Sequence, residues 1–127
     1  MEKHILLVDD SPTIRMSVSF CLQNEGYRVT EAKDGKDALQ KLQFLKDKDQ
    51  SLALIITDIN MPEMDGITFI SKVKETELKF LPILVLTTEA EEFMIEKGRV
   101  AGASGWLLKP FQPEQLLWAI KKIVWSK

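Results

Sequence analysis

Short apolar runs alternate with longer amphipathic segments along this chain. The runs cover residues 5–8, 27–32, 52–57, 83–87 and 105–108. Each is too short for a typical helix and several are rich in Val and Ile, which predicts strands. Runs apolar at nearly every position suit strands covered on both faces. Between them the spacing turns helical. Ile14, Val18, Cys21 and Leu22 share one face of a helix that stops near Gly26, and Ala38, Leu39, Leu42 and Leu45 form a second. Ile67, Ile70, Val73 and Leu78 form a third, while segment 89–100 is the least amphipathic, with Phe93, Met94 and Val100 as its apolar positions. Leu116, Leu117, Ile120, Ile123 and Val124 form the last, opened by Pro113, a residue suited to a first helical turn. Strands alternating with helices imply parallel pairing through right-handed crossovers, hence an α/β fold, a three-layer sandwich. The charged stretch at 46–50 predicts a solvated loop, and no linker or repeat interrupts the pattern, so residues 1–127 are expected to form one domain.

Composition narrows the setting only slightly. Hydrophobic residues make up 45% and charged residues 28%, ordinary for a globular protein. A net charge of -2 argues against sequence-independent binding to nucleic acid or an anionic membrane. Cys21 is the single cysteine, which excludes an internal disulfide and predicts a buried structural thiol in a reducing compartment. With no leader pattern and no stretch as long as a membrane span, the expected location is cytoplasmic.

The strand ends carry the candidate chemistry. Asp9 and Asp10 follow the first run, Asp58 the third, Thr87 and Thr88 the fourth, and Lys109 the fifth. In an open parallel sheet, functional groups gather beyond the carboxyl ends of the strands. Taken singly, each has a structural explanation: Asp10 or Ser11 as a helix cap before Pro12, Asp58 in a turn, Lys109 as a surface lysine. Their joint placement at one edge of one sheet favours a site. Two carboxylates about 4 Å apart at an effective dielectric near 20 repel by roughly 4 kcal/mol, so three require protons or a cation. Mg²⁺ suits an all-oxygen set that leaves room for a phosphoryl oxygen. His4 is the only histidine, which leaves no Cys/His set for zinc and no histidine base at that edge. A carboxylate beside a metal, an ammonium and a hydroxyl is a good phosphoryl acceptor.

The stretches "LLVDDSPTIR", "ITDINMPEMDG", "VLTTEAEE" and "AGASGWLLKPF" follow one another across the whole chain. In this order they resemble the response-regulator receiver domain, and most of all its single-domain chemotaxis members. The resemblance implies a flavodoxin-like fold of five parallel strands in the order 2-1-3-4-5 with five helices. It makes Asp58 the phosphoacceptor for a histidine kinase. It gives Mg²⁺ to Asp9, Asp10, Asp58 and the backbone carbonyl of Asn60, and a cis bond to Pro110. Thr87 and Lys109 would attend the phosphoryl group, Gly66 would help start the third helix, and Trp106 would hold the switch position usually filled by Tyr or Phe. Asn60 and Glu89 would flank the hydrolytic water, and as neither is a bulky or cationic blocker, self-dephosphorylation is expected to be rapid. Such a protein catalyses only its own phosphotransfer and dephosphorylation, acts on a downstream protein rather than on DNA or membrane, and is a monomer or a dimer formed on phosphorylation.

Several rivals fit less well. A haloacid-dehalogenase-like phosphatase would carry a second carboxylate where Asn60 stands, and a flavodoxin would carry a phosphate loop after the first strand. A pseudo-receiver would lack part of the set Asp9, Asp10, Asp58, Thr87 and Lys109. A receiver cut from a larger transcriptional regulator or hybrid kinase remains the alternative organisation. Trp118 and Trp125, seven apart on the last helix with Lys121 and Lys122 between them, predict a partner-binding stripe with at least one exposed indole.

Overall fold

The computed structural model describes residues 2–125. Its elements alternate strictly: β1 (His4–Val8), α1 (Pro12–Asn24), β2 (Arg28–Ala32), α2 (Gly35–Asp47), β3 (Leu54–Thr57), α3 (Gly66–Lys74), β4 (Ile83–Thr87), α4 (Glu92–Ala101), β5 (Gly105–Leu108) and α5 (Pro113–Val124). The five strands form one parallel sheet in the order β2-β1-β3-β4-β5.

Two apolar clusters lie on the two faces of the sheet. Leu6, Val8, Ile55, Val85, Phe69 and Ile70 belong to the one that packs under α2, α3 and α4. Ile5, Leu7, Ile56, Leu86, Leu116 and Ile120 belong to the one under α1 and α5. Successive strand residues point to opposite faces, so β1, β3 and β4 supply both clusters and are buried throughout. Phe69, absent from the expected face of the third helix, is fully buried.

Local chemistry sets the helix ends. Ser11, Asp34 and Asp65 cap α1, α2 and α3, their side chains accepting from the N–H groups of Ile14, Asp37 and Thr68. Gly26, at φ 91°, ends α1 with the paired bonds of Gly26 N–H to Gln23 and Tyr27 N–H to Leu22. On α4 the expected apolar positions Phe93 and Val100 face outward, 68% and 72% exposed, and the residue it buries is Gly98. No helix among the described residues is long and apolar enough to cross a membrane.

Candidate functional site

β1 and β3 are neighbours, so their ends bring Asp9 and Asp58 side by side. The Asp58 N–H donates to the Val8 carbonyl at 3.0 Å, continuing the ladder by one step and fixing where the side chain leaves the sheet. Oxygens of Asp9, Asp10 and Asp58 all lie within 4.8 Å of one another. Asp9 and Asp58 are buried, and Asp10 is exposed. Ser11 rather than Asp10 caps α1, which leaves the Asp10 carboxylate available.

Lys109 closes the cluster. Its Nζ donates to Asp9 Oδ2 at 2.7 Å and to Asp58 Oδ2 at 3.0 Å, with only 12% of the side chain exposed. Burial alone would lower the ammonium's pKa, but hydrogen bonds to Asp9 and Asp58 and their charges outweigh it and hold it above the ordinary lysine value. Its own N–H donates to the Thr87 carbonyl at 2.8 Å, and the following Lys109–Pro110 bond is cis. One ammonium against three carboxylates leaves an excess of negative charge. That excess, with oxygen donors and an exposed Asp10 at the mouth, fits a hard divalent cation such as Mg²⁺.

Asp58 is held from below as well. Its Oδ1 accepts from the N–H of Ile59 at 2.6 Å and of Asn60 at 3.3 Å, which seats Asn60 at the rim of the site. Gly66 packs against this turn: its N–H donates to the Ile59 carbonyl at 2.8 Å, and a Cβ there would collide with the Asp58 carbonyl oxygen. Gly66 therefore fixes the position of Asp58 in addition to opening α3.

Thr87 is fully buried at the end of β4. Its Oγ1 accepts from the Glu89 N–H at 3.3 Å, and the Glu89 carbonyl accepts from Trp106 Nε1 at 2.9 Å. A single residue's backbone thus joins the two expected switch side chains. The Trp106 ring packs beneath α4 beside Gly98, where a Cβ would come within 2.5 Å of Cζ3. The indole occupies this place because position 98 is glycine, a pairing that helical periodicity does not reveal.

Both tryptophans of the last helix are exposed, Trp118 at 64% and Trp125 at 56%. They meet different neighbours. Trp118 lies beside Gly105, Leu107 and Lys122 along β5, whereas Trp125 follows the end of α5 and donates to the Tyr27 hydroxyl at 3.3 Å with Lys3 over its ring. Cys21 is only partly buried. Burial, then the charges of Glu25 and Glu114, push its thiol above the ordinary value, as befits an inert thiol.

A family model described as the response regulator receiver domain matches residues 5–121. The chain is 36% identical over 124 residues to the alkaline phosphatase synthesis transcriptional regulatory protein PhoP of Bacillus subtilis, spanning 98% of this chain and 49% of that protein. The solved structure of the chemotaxis response regulator CheY4 of Vibrio cholerae matches with a TM-score of 0.88 at 43% identity, over 97% of this chain and 99% of the other. The receiver domain of sensor histidine kinase PA1611 from Pseudomonas aeruginosa matches with a TM-score of 0.84 at 28% identity, over 99% and 100% of the two chains. That structure holds a magnesium ion coordinated in its active site cleft.

Proposed function

The chain belongs to the response regulator receiver family, and on that premise we propose that Asp58 accepts a phosphoryl group from the phosphohistidine of a kinase, with Mg²⁺ bound. The observation that carries this is the bridging of Asp9 and Asp58 by Lys109 beside Asp10, an arrangement still short of positive charge. Asp9, Asp10, Asp58 and the carbonyl of Asn60 would hold the ion, which supplies positive charge to the transferred oxygens.

The chain's own residues do the rest. The phosphorus–nitrogen bond of the donor breaks as a bond from phosphorus to an Asp58 carboxylate oxygen forms, and the donor nitrogen leaves with the electron pair. Lys109 exchanges part of its contact with Asp58 for a phosphoryl oxygen, and the Thr87 hydroxyl donates to another. Asn60 and Glu89 leave the approach of water open, so the acyl phosphate is short-lived.

Turning Thr87 toward the phosphoryl group releases the Glu89 N–H, and with it the carbonyl that anchors Trp106. The face of α4, β5 and α5, with Trp118 exposed on it, then changes and is read by a protein partner. The protein acts as a switch and turns over only its own phosphoryl group. The likeness to CheY4 favours a chemotaxis role, whereas the likeness to PhoP favours a role in transcriptional regulation.

Acetyl phosphate treatment followed by intact-mass measurement tests the core of this. One added phosphoryl group is expected with Mg²⁺ and none with chelator or in Asp58→Asn. Modification that persists in Asp58→Asn would overturn the assignment.

A further inference from the structure

Arg15, on the first turns of α1, is paired with Glu31 on the edge strand at 3.3 Å, which on its own is a surface ion pair of small worth. Its shorter bond goes elsewhere. Arg15 Nη1 donates to the backbone carbonyl of Asp9 at 2.6 Å, and the side chain is only 19% exposed. Glu31 is held in turn, Oε2 accepting from Ser19 Oγ at 2.9 Å.

The peptide that joins Asp9 to Asp10 is thereby fixed. The Asp9 N–H donates to the Ala32 carbonyl at 3.1 Å, its Oδ1 accepts from the Ser11 N–H at 2.9 Å, and its Oδ2 meets Lys109. The carbonyl is the group that sets the rotation of the 9–10 peptide plane, and hence the direction in which Asp10 leaves the chain. Among the described residues no hydrogen bond holds the Asp10 side chain itself, so nothing else aims it.

The geometry points to Arg15 as a positioning residue for the metal site: held by Glu31, which Ser19 holds in turn, it fixes the Asp9–Asp10 peptide so that both carboxylates face one ion. This rests on the reading of Asp9 and Asp10 as Mg²⁺ ligands, and it carries a sign that separates it from simple electrostatics. A guanidinium beside an acidic cluster repels a divalent cation, so charge alone predicts tighter metal binding once Arg15 is removed. Loss of positioning predicts weaker binding.

Mn²⁺ binding to the full chain, read from the loss of its free electron-paramagnetic-resonance signal and displaced by Mg²⁺, measures the affinity. Arg15→Met is expected to weaken Mn²⁺ and Mg²⁺ binding about tenfold, the scale of a lost partner outside the ligand set. Arg15→Lys, which keeps the charge and reaches one partner at a time, should recover part of this. Ser19→Ala, which releases Glu31 without changing any charge, should weaken binding less than Arg15→Met, and it serves where Arg15→Met does not fold. Saturating Mg²⁺ should restore the rate of labelling by acetyl phosphate in each variant. Unchanged or tighter binding in Arg15→Met, or in Ser19→Ala where that variant stands in, overturns the inference. So does a labelling rate that saturating Mg²⁺ fails to restore, which would indicate general distortion. A wild-type chain that binds neither ion, or an Asp10→Asn variant that binds as well as wild type, would instead sink the metal site itself.

Discussion

β1 and β3 bury every residue, whereas β5 fully buries none of its residues and ends on the exposed Leu108. The helices differ in the same way. α1, α2 and α3 start on side-chain caps and bury several residues each, while α4 has no capping side chain and buries only Gly98. The carboxylates proposed to share one ion follow directly on the close-packed strands, whose neighbours hold the buried Asp9 and Asp58 in place. The indole and helix expected to change lie where few buried contacts resist movement. Placement of chemistry and of response thus follows packing density across one sheet.

The sharpest way to break this contrast is at its centre. Lys109→Met removes the cation between two buried carboxylates and should cost about 3 kcal/mol in urea unfolding without metal. Part of that loss should return with Mg²⁺, and an equal loss with and without the ion would contradict a shared charge balance.

Gly66→Ala comes next. Its Cβ would meet backbone, with the Ile59 Cα at 2.7 Å, so a loss of about 1–3 kcal/mol and slower labelling of Asp58 are expected. Melting close to that of wild type would show that the turn below Asp58 yields after all.

In a Trp118→Phe, Trp125→Phe background, beryllofluoride with Mg²⁺ should change the emission of Trp106, the indole that remains. Thr87→Ala should blunt that change. A full response without the hydroxyl would disconnect Thr87 from Trp106.

Gly98→Ala makes the same chemical change as Gly66→Ala in the looser half. Here the Cβ meets the rim of an indole, Cζ3 at 2.5 Å, and alanine also favours the helix by about 0.5–1 kcal/mol. Stability should therefore change by less than about 1 kcal/mol while Trp106 emission moves to the red as the ring is displaced. A loss as large as that of Gly66→Ala would erase the distinction between the halves.

The smallest effect is expected far from both. His4, at the amino end of β1, has its pKa lowered by burial and by the Arg28 charge, against the pull of Glu2, and its Nε2 lies 2.7 Å from Thr30 Oγ1. A depressed histidine favours folding above its unfolded pKa of about 6.5, and that contribution fades as pH falls toward the folded value. Melting temperature should drop slightly more between pH 7.5 and 5.5 in the wild type than in His4→Gln. A larger drop in the variant would reverse the sign.

Much of this architecture is legible in the sequence because the strands of a doubly covered sheet must be apolar throughout. Runs at 83–87 and 105–108 coincide with β4 and β5, and the polar residues that end the runs mark the site. What escapes is contact across elements. Gly98 looks like a flaw in a helix until the Trp106 ring is seen against it. Arg15 gives no signal in the periodicity, because its bond to the Asp9 carbonyl runs from helix to strand end. Trp118 and Trp125 share a helical spacing, yet one indole lies along β5 and the other bonds Tyr27 at the far side of the helix. Periodicity describes one element at a time, and each of these facts belongs to two.

The separation of the core into two clusters has a consequence for how such a protein can change over generations. Side chains under α2, α3 and α4 share few partners with those under α1 and α5, because the sheet stands between them. Substitutions without common neighbours combine nearly additively. One layer can therefore accumulate changes that refit a recognition surface while the other keeps its own history, and a lineage can acquire a new interlocutor without renegotiating the whole interior.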